Sequence, residues 1–297
     1  MALDKPGASK PVFVALCMEL CDSGSLASKL EERSFPKLLA AEEEPAAAAA
    51  RAGGAVGGSR ARSPRVLDMV GIYLTVLEVA CALRYLHARR LLHRDIKSAN
   101  ILLKASPTDP RGWMCKLADF GSALVLDQFQ PPEEDDGDCE GGDQHHPPGS
   151  AGRWFAVQEQ SWGTITHMSP ESMDNNSRVD ASSDIFALGI VMWEIASGRG
   201  YRPYKELAPE QIGAAVRGGL RPTFTPEVPA PYRALAQQCW ASDPAARPTA
   251  VQVVAAVKQQ LAALQSERRL ARAASAATSS STSATASAAA SGASRQM

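Results

Sequence analysis

Three short groups of polar residues in the middle of the chain have types and spacing suited to phosphoryl transfer. They are His93-Arg94-Asp95, then Asn100 five positions after Asp95, and then Asp119-Phe120-Gly121. Phosphoryl transfer passes through a loose, highly charged transition state, so its catalysts work mainly by positioning groups and neutralising charge. Carboxylates and amides at fixed spacing are functional groups that can position reactants and metal ions for this chemistry.

The individual side chains suggest separate tasks. Mg²⁺ prefers oxygen ligands and is usually held by one or two protein groups together with phosphates, so Asn100 and Asp119 are candidate ligands. Asp95 could orient a hydroxyl group and accept its proton, while Lys97 offers a compact positive charge to a phosphate. Each residue alone could be a solvated loop residue. Their joint occurrence favours phosphoryl transfer.

The same residues fill the H-R-D-x-x-x-x-N and D-F-G positions of the eukaryotic protein kinases, and the chain resembles that superfamily outside three low-complexity stretches. The motifs HRDIKSANILL, WGTITHMSPE, SDIFALGIVMWEI and CWASDPAARPT are most similar to the tyrosine-kinase-like group of serine/threonine kinases. The resemblance implies an α+β, protein-kinase-like fold with a predominantly helical C-lobe, a remnant hinge strand of the N-lobe and short catalytic-loop strands. Lys97 favours serine/threonine substrates, because tyrosine kinases typically carry Ala or Arg near this position.

The resemblance also implies roles for residues outside the three groups. Thr164 would hydrogen-bond Asp95 and Lys97, Glu171 would pair with Arg247, and Asp184 would anchor the backbone of the catalytic loop. ATP would contact Met18, Glu19, Cys21, Ser25, Lys97 and Leu102. From the pattern alone, Met18, Cys21 and Leu102 are better explained as core residues. Only their register relative to Asp95 makes them candidate contacts of ATP.

Composition limits the class of protein. The 297 residues are 45% hydrophobic and could bury one sizeable core. Lys plus Arg number 31 and Asp plus Glu number 32, which gives no case for nucleic acid as a bulk electrostatic partner. The six cysteines form no C-x-x-C pair, and no run of eighteen apolar residues predicts a membrane span. These features predict a soluble, cytoplasmic protein. The family resemblance implies ATP and Mg²⁺ as cofactors and a protein substrate as partner.

The predicted organisation is a leader at 1–11, a partial kinase domain at 12–265 and a disordered Ala/Ser-rich tail at 266–297. The domain contains a low-complexity insertion at 40–63 and an acidic insertion at 127–152, both expected to be flexible. Val12 to Met18 is predicted to form the hinge strand. A metal site at Cys139, His145 and His146 is the less favoured alternative, because zinc needs a scaffold with fixed geometry. Ser161 or Thr166 is predicted to be phosphorylated by an upstream kinase and to pair with Arg94.

Helices are predicted from apolar spacing. One has an apolar stripe at Leu67, Val70, Leu74, Leu77 and Cys81. A second, Ile185 to Ile195, is apolar on almost every side and is capped by Ser182 or Ser183. A third starts with a capping box at Thr249 and Gln252 and packs through Val254, Val257, Leu261 and Leu264.

Two hypotheses about activity follow from what precedes His93. The family's glycine-rich loop, strand lysine and partner glutamate are not found there, and Lys5 and Lys10 are poor substitutes for the lysine. The first hypothesis is a serine/threonine kinase whose N-lobe is largely missing from this chain, so that the chain alone is weakly active or inactive. The second is a non-catalytic kinase-like module that binds partners.

Overall fold

Helices and short strands alternate along the chain. The computed structural model describes residues 18–40, 65–131, 152–197 and 202–293. The α-helices are α1 (Leu26–Glu31), α2 (Met69–His87), α3 (Ser182–Ser197), α4 (Pro209–Arg217), α5 (Ala230–Cys239) and α6 (Ala250–Ala293). The strands are β1 (Leu38–Ala40), β2 (Arg65–Leu67), β3 (Leu91–Leu92), β4 (Ile101–Ala105), β5 (Trp113–Leu117), β6 (Leu124–Val125), β7 (Gln128–Gln130), β8 (Arg153–Gln158) and β9 (Ser177–Asp180).

All strand pairs in this part of the chain are antiparallel. β1 pairs with β2, β3 with β6, and β4 with β5, each as a two-stranded ribbon. β8 lies between β7 and β9 in a three-stranded sheet. The mixture of helices and short strands confirms the predicted α+β class.

The main core lies between α2, α3, α5 and α6 and includes the inner face of β4. A second core cluster joins α3 to α4 and to Trp240, and a third lies beneath β8. Gly189 in α3 permits a close approach of α5, because a Cβ at this position would lie 3.0 Å from the backbone oxygen of Ala236. The helices therefore form the main core, and the strands and loops pack against it.

The helix α2 is confirmed, but its predicted apolar stripe is confirmed only in part, because Leu67, Leu77 and Cys81 pack against the main core without being its most buried residues. Val70, Leu74, Leu77 and Cys81 are only half-buried. The face that enters the core contains Ile72, Val76, Val79, Ala80 and Leu83, each at most 2% exposed. Because α2 is apolar around most of its circumference, two stripes fit the same spacing, and tertiary packing selects between them.

The third predicted helix, α6, begins as expected. The side chain of Gln252 accepts a hydrogen bond from the Thr249 backbone at 2.7 Å, and Thr249 Oγ1 accepts one from the Gln252 backbone at 3.3 Å. Val254 and Val257 are buried, with Leu261 and Leu264 packed against the same cluster. The helix continues to Ala293, where the sequence predicts a disordered tail. Alanine has the highest intrinsic helix propensity, which explains why the helix continues.

The start of α3 corrects another prediction. Ser182 and Ser183 lie inside the helix, and the Asp180 carboxylate accepts a hydrogen bond from the Ser182 backbone at 2.8 Å. Asp180 therefore occupies the capping role that the sequence analysis gave to the serines.

Both insertions begin with ordered strand rather than irregular chain. Ala40 belongs to β1, and Gln128–Gln130 form β7 within the stretch predicted to be flexible. β7 pairs with β8, and the Phe129 and Trp154 rings lie 5.1 Å apart. The leader at 1–11, the hinge residues 12–17 and the residues Cys139, His145 and His146 lie outside the described residues.

One helix in the described ranges, α2, is long and apolar enough to cross a membrane by length and composition. More than half of its most apolar window is buried inside the fold, as in a core helix.

Candidate active site

The β4–β5 ribbon brings two candidate metal ligands to the same end of one ladder. Ile101 pairs with Leu117, and the ladder continues with a hydrogen bond of 2.9 Å from the Ala118 backbone N–H to the Asn100 carbonyl. Asp119 follows directly. Residues 19 positions apart in sequence are thereby placed next to the same end of two paired strands.

Asp95 lies at the centre of a hydrogen-bond network. Its Oδ2 accepts bonds from Lys97 Nζ at 2.6 Å and from Asn100 Nδ2 at 2.9 Å. Its Oδ1 accepts bonds from the Thr164 hydroxyl at 2.8 Å and from the Thr164 backbone at 3.1 Å. Lys97 Nζ also donates to Thr164 Oγ1 at 2.9 Å. The structure therefore brings together Asp95, Lys97, Asn100 and Thr164.

The network holds the Asp95 carboxylate in its ionised form. Burial acts to raise the pKa of this residue, but the bonds from Lys97 and Thr164 and the charge of Lys97 outweigh burial. The pKa of Asp95 is consequently below its usual value. A carboxylate with a lowered pKa is ionised at neutral pH, as a proton acceptor must be.

The orientation of the Asn100 amide follows from its partners. Its Nδ2 donates to both the carbonyl and the carboxylate of Asp95, so an oxygen in that position would face two other oxygens. The amide oxygen therefore points elsewhere and is the atom that suits a hard cation.

Asp119 is exposed and has left-handed backbone dihedrals, with φ of 65° and ψ of 72°. Its carboxylate accepts a bond from the Gly121 backbone at 3.4 Å. The Phe120 ring packs on His93 with ring centroids 4.9 Å apart. A non-glycine residue in this region of φ/ψ space is uncommon and is frequently found at functional sites.

Asp184 fixes the backbone that leads into the catalytic loop. Its carboxylate accepts bonds from the backbone N–H groups of His93 and Arg94, at 3.0 and 2.9 Å, and contacts His87 Nε2 at 2.9 Å. Burial raises the pKa of Asp184, but its hydrogen bonds, led by that of His87, lower the pKa overall. The predicted contact with the loop backbone is present, and His87 is an additional partner that the sequence analysis missed.

No sequence signal marked His87. It lies in the last turn of α2, where a basic residue is common because the carbonyl end of a helix favours positive charge. Only the packing of α2 against α3 shows that this imidazole contacts a buried carboxylate.

His93 orients the loop from a fully buried position. Its Nδ1 accepts a bond from the Asp95 backbone at 3.3 Å, and its Nε2 lies 3.0 Å from the Ala118 carbonyl. These partners require a hydrogen on Nε2 and none on Nδ1. His93 therefore connects the chain near Asp95 with the chain before Asp119.

Glu171 and Arg247 form the predicted pair with two parallel bonds, of 2.6 and 2.9 Å. Burial raises the pKa of Glu171, and the bonds and charge of Arg247 more than offset this, so the pKa is lowered. The Arg247 guanidinium also donates to the carbonyls of Ala241 and Ser182. Ser183 Oγ donates to Glu171 at 3.1 Å, which the sequence analysis did not anticipate.

Gly163 allows the segment that carries Thr164 to approach the loop. Its φ is 123°, and a Cβ here would lie 2.6 Å from the Arg94 carbonyl oxygen. A side chain would therefore push the Thr164 backbone away from Asp95.

The residues assigned to ATP lie beside β4. The Ser23 backbone N–H donates to the Leu103 carbonyl at 3.0 Å, and the Leu103 backbone N–H donates to the Gly24 carbonyl at 2.8 Å. Ser25 forms a β-bridge with Leu102. The Ser25 side chain caps α1, so it already has a partner within the helix. Leu102 is half-buried and Cys21 is half-exposed.

Met18 and Leu20 are 76% and 80% exposed, and the Glu19 side chain contacts Lys104 and Lys116. Between described residues, no backbone hydrogen bond engages Glu19 or Cys21. The core alternative for Met18 does not fit its exposure.

The two candidate phosphorylation sites differ in access. Ser161 is exposed, while the half-buried Thr166 has its hydroxyl 2.9 Å from His167 Nδ1. Arg94 has a φ of 67° and donates a short hydrogen bond to the Ser122 carbonyl.

Comparisons with known proteins agree with this geometry. Residues 8–257 match the protein kinase domain. The chain is 28% identical over 205 residues to the serine/threonine-protein kinase STY17 of Arabidopsis thaliana, covering 69% of this chain and 30% of that protein. It is 31% identical over 193 residues to the human ephrin type-A receptor 1, covering 65% of this chain and 17% of the receptor. The chain thus spans less than a third of the length of these relatives.

Proposed function

Because this chain belongs to the protein kinase family, we propose that it provides the catalytic loop of an ATP-dependent serine/threonine kinase. The observation that carries the proposal is the bonding of Asp95 to Lys97, Asn100 and Thr164 in one network. These residues can orient a hydroxyl group, accept a proton and hold positive charge beside a phosphate.

The residues present fit ATP and Mg²⁺. One carboxylate, Asp119, and one amide oxygen, Asn100, form an oxygen donor set of the kind that Mg²⁺ prefers. Bound Mg²⁺ and ATP supply the phosphoryl group and neutralise charge on its oxygens. The backbone of Glu19 and Cys21 and the side chains of Met18 and Leu102 would hold the base, and Ser25 would lie at the edge of the nucleotide.

The acceptor hydroxyl would be bound at Asp95. As the oxygen of serine or threonine bonds to phosphorus, its proton passes to the Asp95 carboxylate, and the bond between the γ-phosphorus and the bridging oxygen of ATP breaks. Lys97 stays next to the transferring group, held by Asp95 and Thr164. Such proton acceptance contributes about 10²- to 10⁴-fold in rate.

The proposed specificity for serine and threonine rests on Lys97 and on the name of the Arabidopsis relative. The human relative is named as an ephrin receptor, so peptides that carry serine, threonine or tyrosine at one position should be compared. Faster phosphorylation of the tyrosine peptide would overturn the specificity and leave phosphoryl transfer intact.

We further propose that residues 1–297 alone transfer phosphate slowly. No G-x-G-x-x-G sequence occurs before His93, and loss of one preorganised charge-stabilising group costs on the order of 100- to 1000-fold in rate. A strong rise of the melting temperature with ATP and Mg²⁺, together with rapid transfer, would contradict this. A transcript that encodes a glycine-rich loop and strand lysine in frame before Met1 would supply the missing groups.

The decisive experiment compares Asp95→Asn with Glu210→Gln, which also replaces a carboxylate by an amide but at an exposed position of α4. Transfer of the labelled γ-phosphate of ATP to a serine peptide should fall at least about 100-fold in Asp95→Asn and stay unchanged in Glu210→Gln. Equal transfer by both variants would overturn the role of Asp95.

A non-catalytic binding module is the second candidate. It is favoured by the exposed apolar side chains of Met18 and Leu20 and by the missing glycine-rich loop. If the only transcript carries a stop codon directly before Met1 and the unmodified protein transfers no phosphate, this candidate replaces the kinase.

Regulation by an upstream kinase would act through Ser161 more readily than through Thr166, because Ser161 is exposed. A phosphate there could pair with Arg94 and order the segment before Thr164. Activity that is unchanged by Arg94→Ala in the phosphorylated protein would contradict this proposal.

The described cysteines are free thiols, which suits the proposed cytoplasmic location.

A further inference from the structure

A second cavity lies at the opposite end of the β4–β5 ribbon from Asn100 and Asp119. Its volume is about 180 Å³, and we call it the basic pocket. It is lined by the end of α1, the turn between β4 and β5, and the start of α2, through Lys29, Phe35, Lys37, Asp68, Arg111 and Trp113.

The floor of the basic pocket is formed largely by two packed aromatic rings. Phe35 and Trp113 are 4% and 7% exposed and pack edge to face, with ring centroids 5.2 Å apart. The Arg111 guanidinium lies over the Trp113 ring, 4.5 Å from its centroid. Such a floor can bind an apolar or aromatic side chain without rearrangement.

Arg111 adds little free charge to this floor. Its guanidinium pairs with the carboxylates of Asp109 and Glu78, both at 2.8 Å, and donates to Thr75 at 3.0 Å. The side chain is 4% exposed. Arg111 is therefore part of the structure of the pocket.

The rim carries the uncompensated positive charge. Lys37 forms no ion pair with any other residue in the described ranges, and Lys29 has only the distant, exposed carboxylate of Glu32 at 3.6 Å. Exposed pairs of this kind contribute little energy. Asp68 is the one acidic side chain of the lining named above, and Arg268 lies 3.9 Å from it.

We propose that the basic pocket docks an acidic segment of a partner protein. An apolar side chain of that segment would lie on Phe35 and Trp113, and a neighbouring carboxylate would lie between Lys29 and Lys37. A small anion would contact the lysines of the rim and leave the aromatic floor uncovered. A peptide can contact both the rim and the floor. Complementary charge of this kind governs the choice of partner and the rate of association.

Docking in the basic pocket would leave the catalytic loop open. β4 spans five residues between the two sites, which is about 15 Å at the usual rise per residue. Binding can therefore be measured without phosphoryl transfer, and failure of either proposal leaves the other standing.

The test uses the whole chain and three labelled peptides of equal length, which alternate phenylalanine with glutamate, glutamine or lysine. Fluorescence anisotropy should show saturable binding of the glutamate peptide, at least about tenfold tighter than that of the glutamine peptide. The double variant Lys29→Glu/Lys37→Glu should lose that binding at least tenfold and gain binding of the lysine peptide.

Lys205→Glu is the matched control, since it reverses the charge of an exposed lysine that does not line the basic pocket. Thermal unfolding checks that all variants are folded. Equal binding of glutamate and glutamine peptides, or an equal loss in Lys205→Glu, would overturn the proposal.

Two further results would assign the basic pocket to a different occupant. Complete displacement of the peptide by an equal concentration of inorganic phosphate would show a simple anion site. Self-association that the double variant abolishes would show that a second copy of this chain is the partner. Either result overturns the docking of an acidic peptide.

Discussion

At the scale of single residues, Thr164 is the strongest test of the network around Asp95. Its hydroxyl donates to Asp95 and accepts from Lys97. Thr164→Val removes both bonds with little change of shape, while Thr164→Ser keeps the hydroxyl. We expect phosphoryl transfer to fall about 10- to 100-fold in the valine variant, because bonds to charged groups contribute about 1.5 to 3 kcal/mol.

The serine variant should keep transfer within a few-fold of the unmodified protein. Steady-state kinetics with a serine peptide measure both. Equal losses in the two variants would contradict the assignment to the hydroxyl, and a loss in the serine variant alone would show that the methyl group, not the hydroxyl, matters at this position.

Asp184 predicts how stability depends on pH. Its folded-state pKa is lowered, so its contribution is complete above the unfolded-state pKa of about 4 and is lost as pH falls through the lower folded-state value. Asp184→Asn removes this titration. The free energy of unfolding of the unmodified protein should therefore fall more steeply below about pH 4 than that of the variant.

Urea unfolding between acidic and neutral pH measures this difference. At neutral pH the variant should also be less stable, because the two backbone N–H groups of the catalytic loop lose a charged acceptor. Parallel stability curves for the two proteins would contradict the assignment.

At the scale of elements, the packing of α3 on α5 depends on Gly189. A Cβ there would lie 3.0 Å both from the Ala236 carbonyl oxygen and from the Cys239 Cβ, atoms of a packed helix that cannot easily move. Gly189→Ala should therefore destabilise the protein by about 1 to 3 kcal/mol, as overpacked cores do.

Gly213→Ala is the matched change, because its Cβ would make only ordinary contacts at 3.7 Å or more. Alanine in the interior of α4 should stabilise by up to about 1 kcal/mol. Denaturant unfolding gives both values, and the same sign for the two variants would refute the argument.

The sequence predicted the elements better than their faces. The capping box at Thr249 was correct because its bonds are local to one turn. The most buried face of α2 was not predicted, because its choice depends on distant helices. β7 was missed because its pairing partner, β8, lies beyond the acidic insertion and gives no local signal.

The same distinction applies to the candidate site. Asp95, Lys97 and Asn100 lie within six positions, so a motif specifies their arrangement. The contacts of His87 with Asp184 and of Ser183 with Glu171 arise from the packing of helices. No spacing in the sequence encodes them.

At the scale of the whole molecule, Arg247 joins three regions of the chain. It pairs with Glu171 after the segment that contains Thr164, and it donates to the carbonyls of Ser182 in α3 and Ala241 between α5 and α6. Arg247→Ala leaves the mostly buried Glu171 carboxylate without its partner. This should cost about 3 to 5 kcal/mol.

Arg217 provides the comparison, because its bond of 2.7 Å to Asp174 is exposed on both sides. Arg217→Ala should cost less than about 1 kcal/mol. Calorimetry should therefore show a large fall in melting temperature for the first variant and a small one for the second. Similar falls would mean that Arg247 makes no special contribution.

The β1–β2 ribbon has a practical consequence for engineering. Ala40 pairs directly with Arg65, so the two ends of the intervening 24 residues are clamped side by side. The entropy of closing a loop grows only with the logarithm of its length, and doubling the loop costs about 0.6 kcal/mol. A fluorescent reporter or a ligand-gated domain whose own termini are adjacent could be spliced between these strands while the main core keeps its stability.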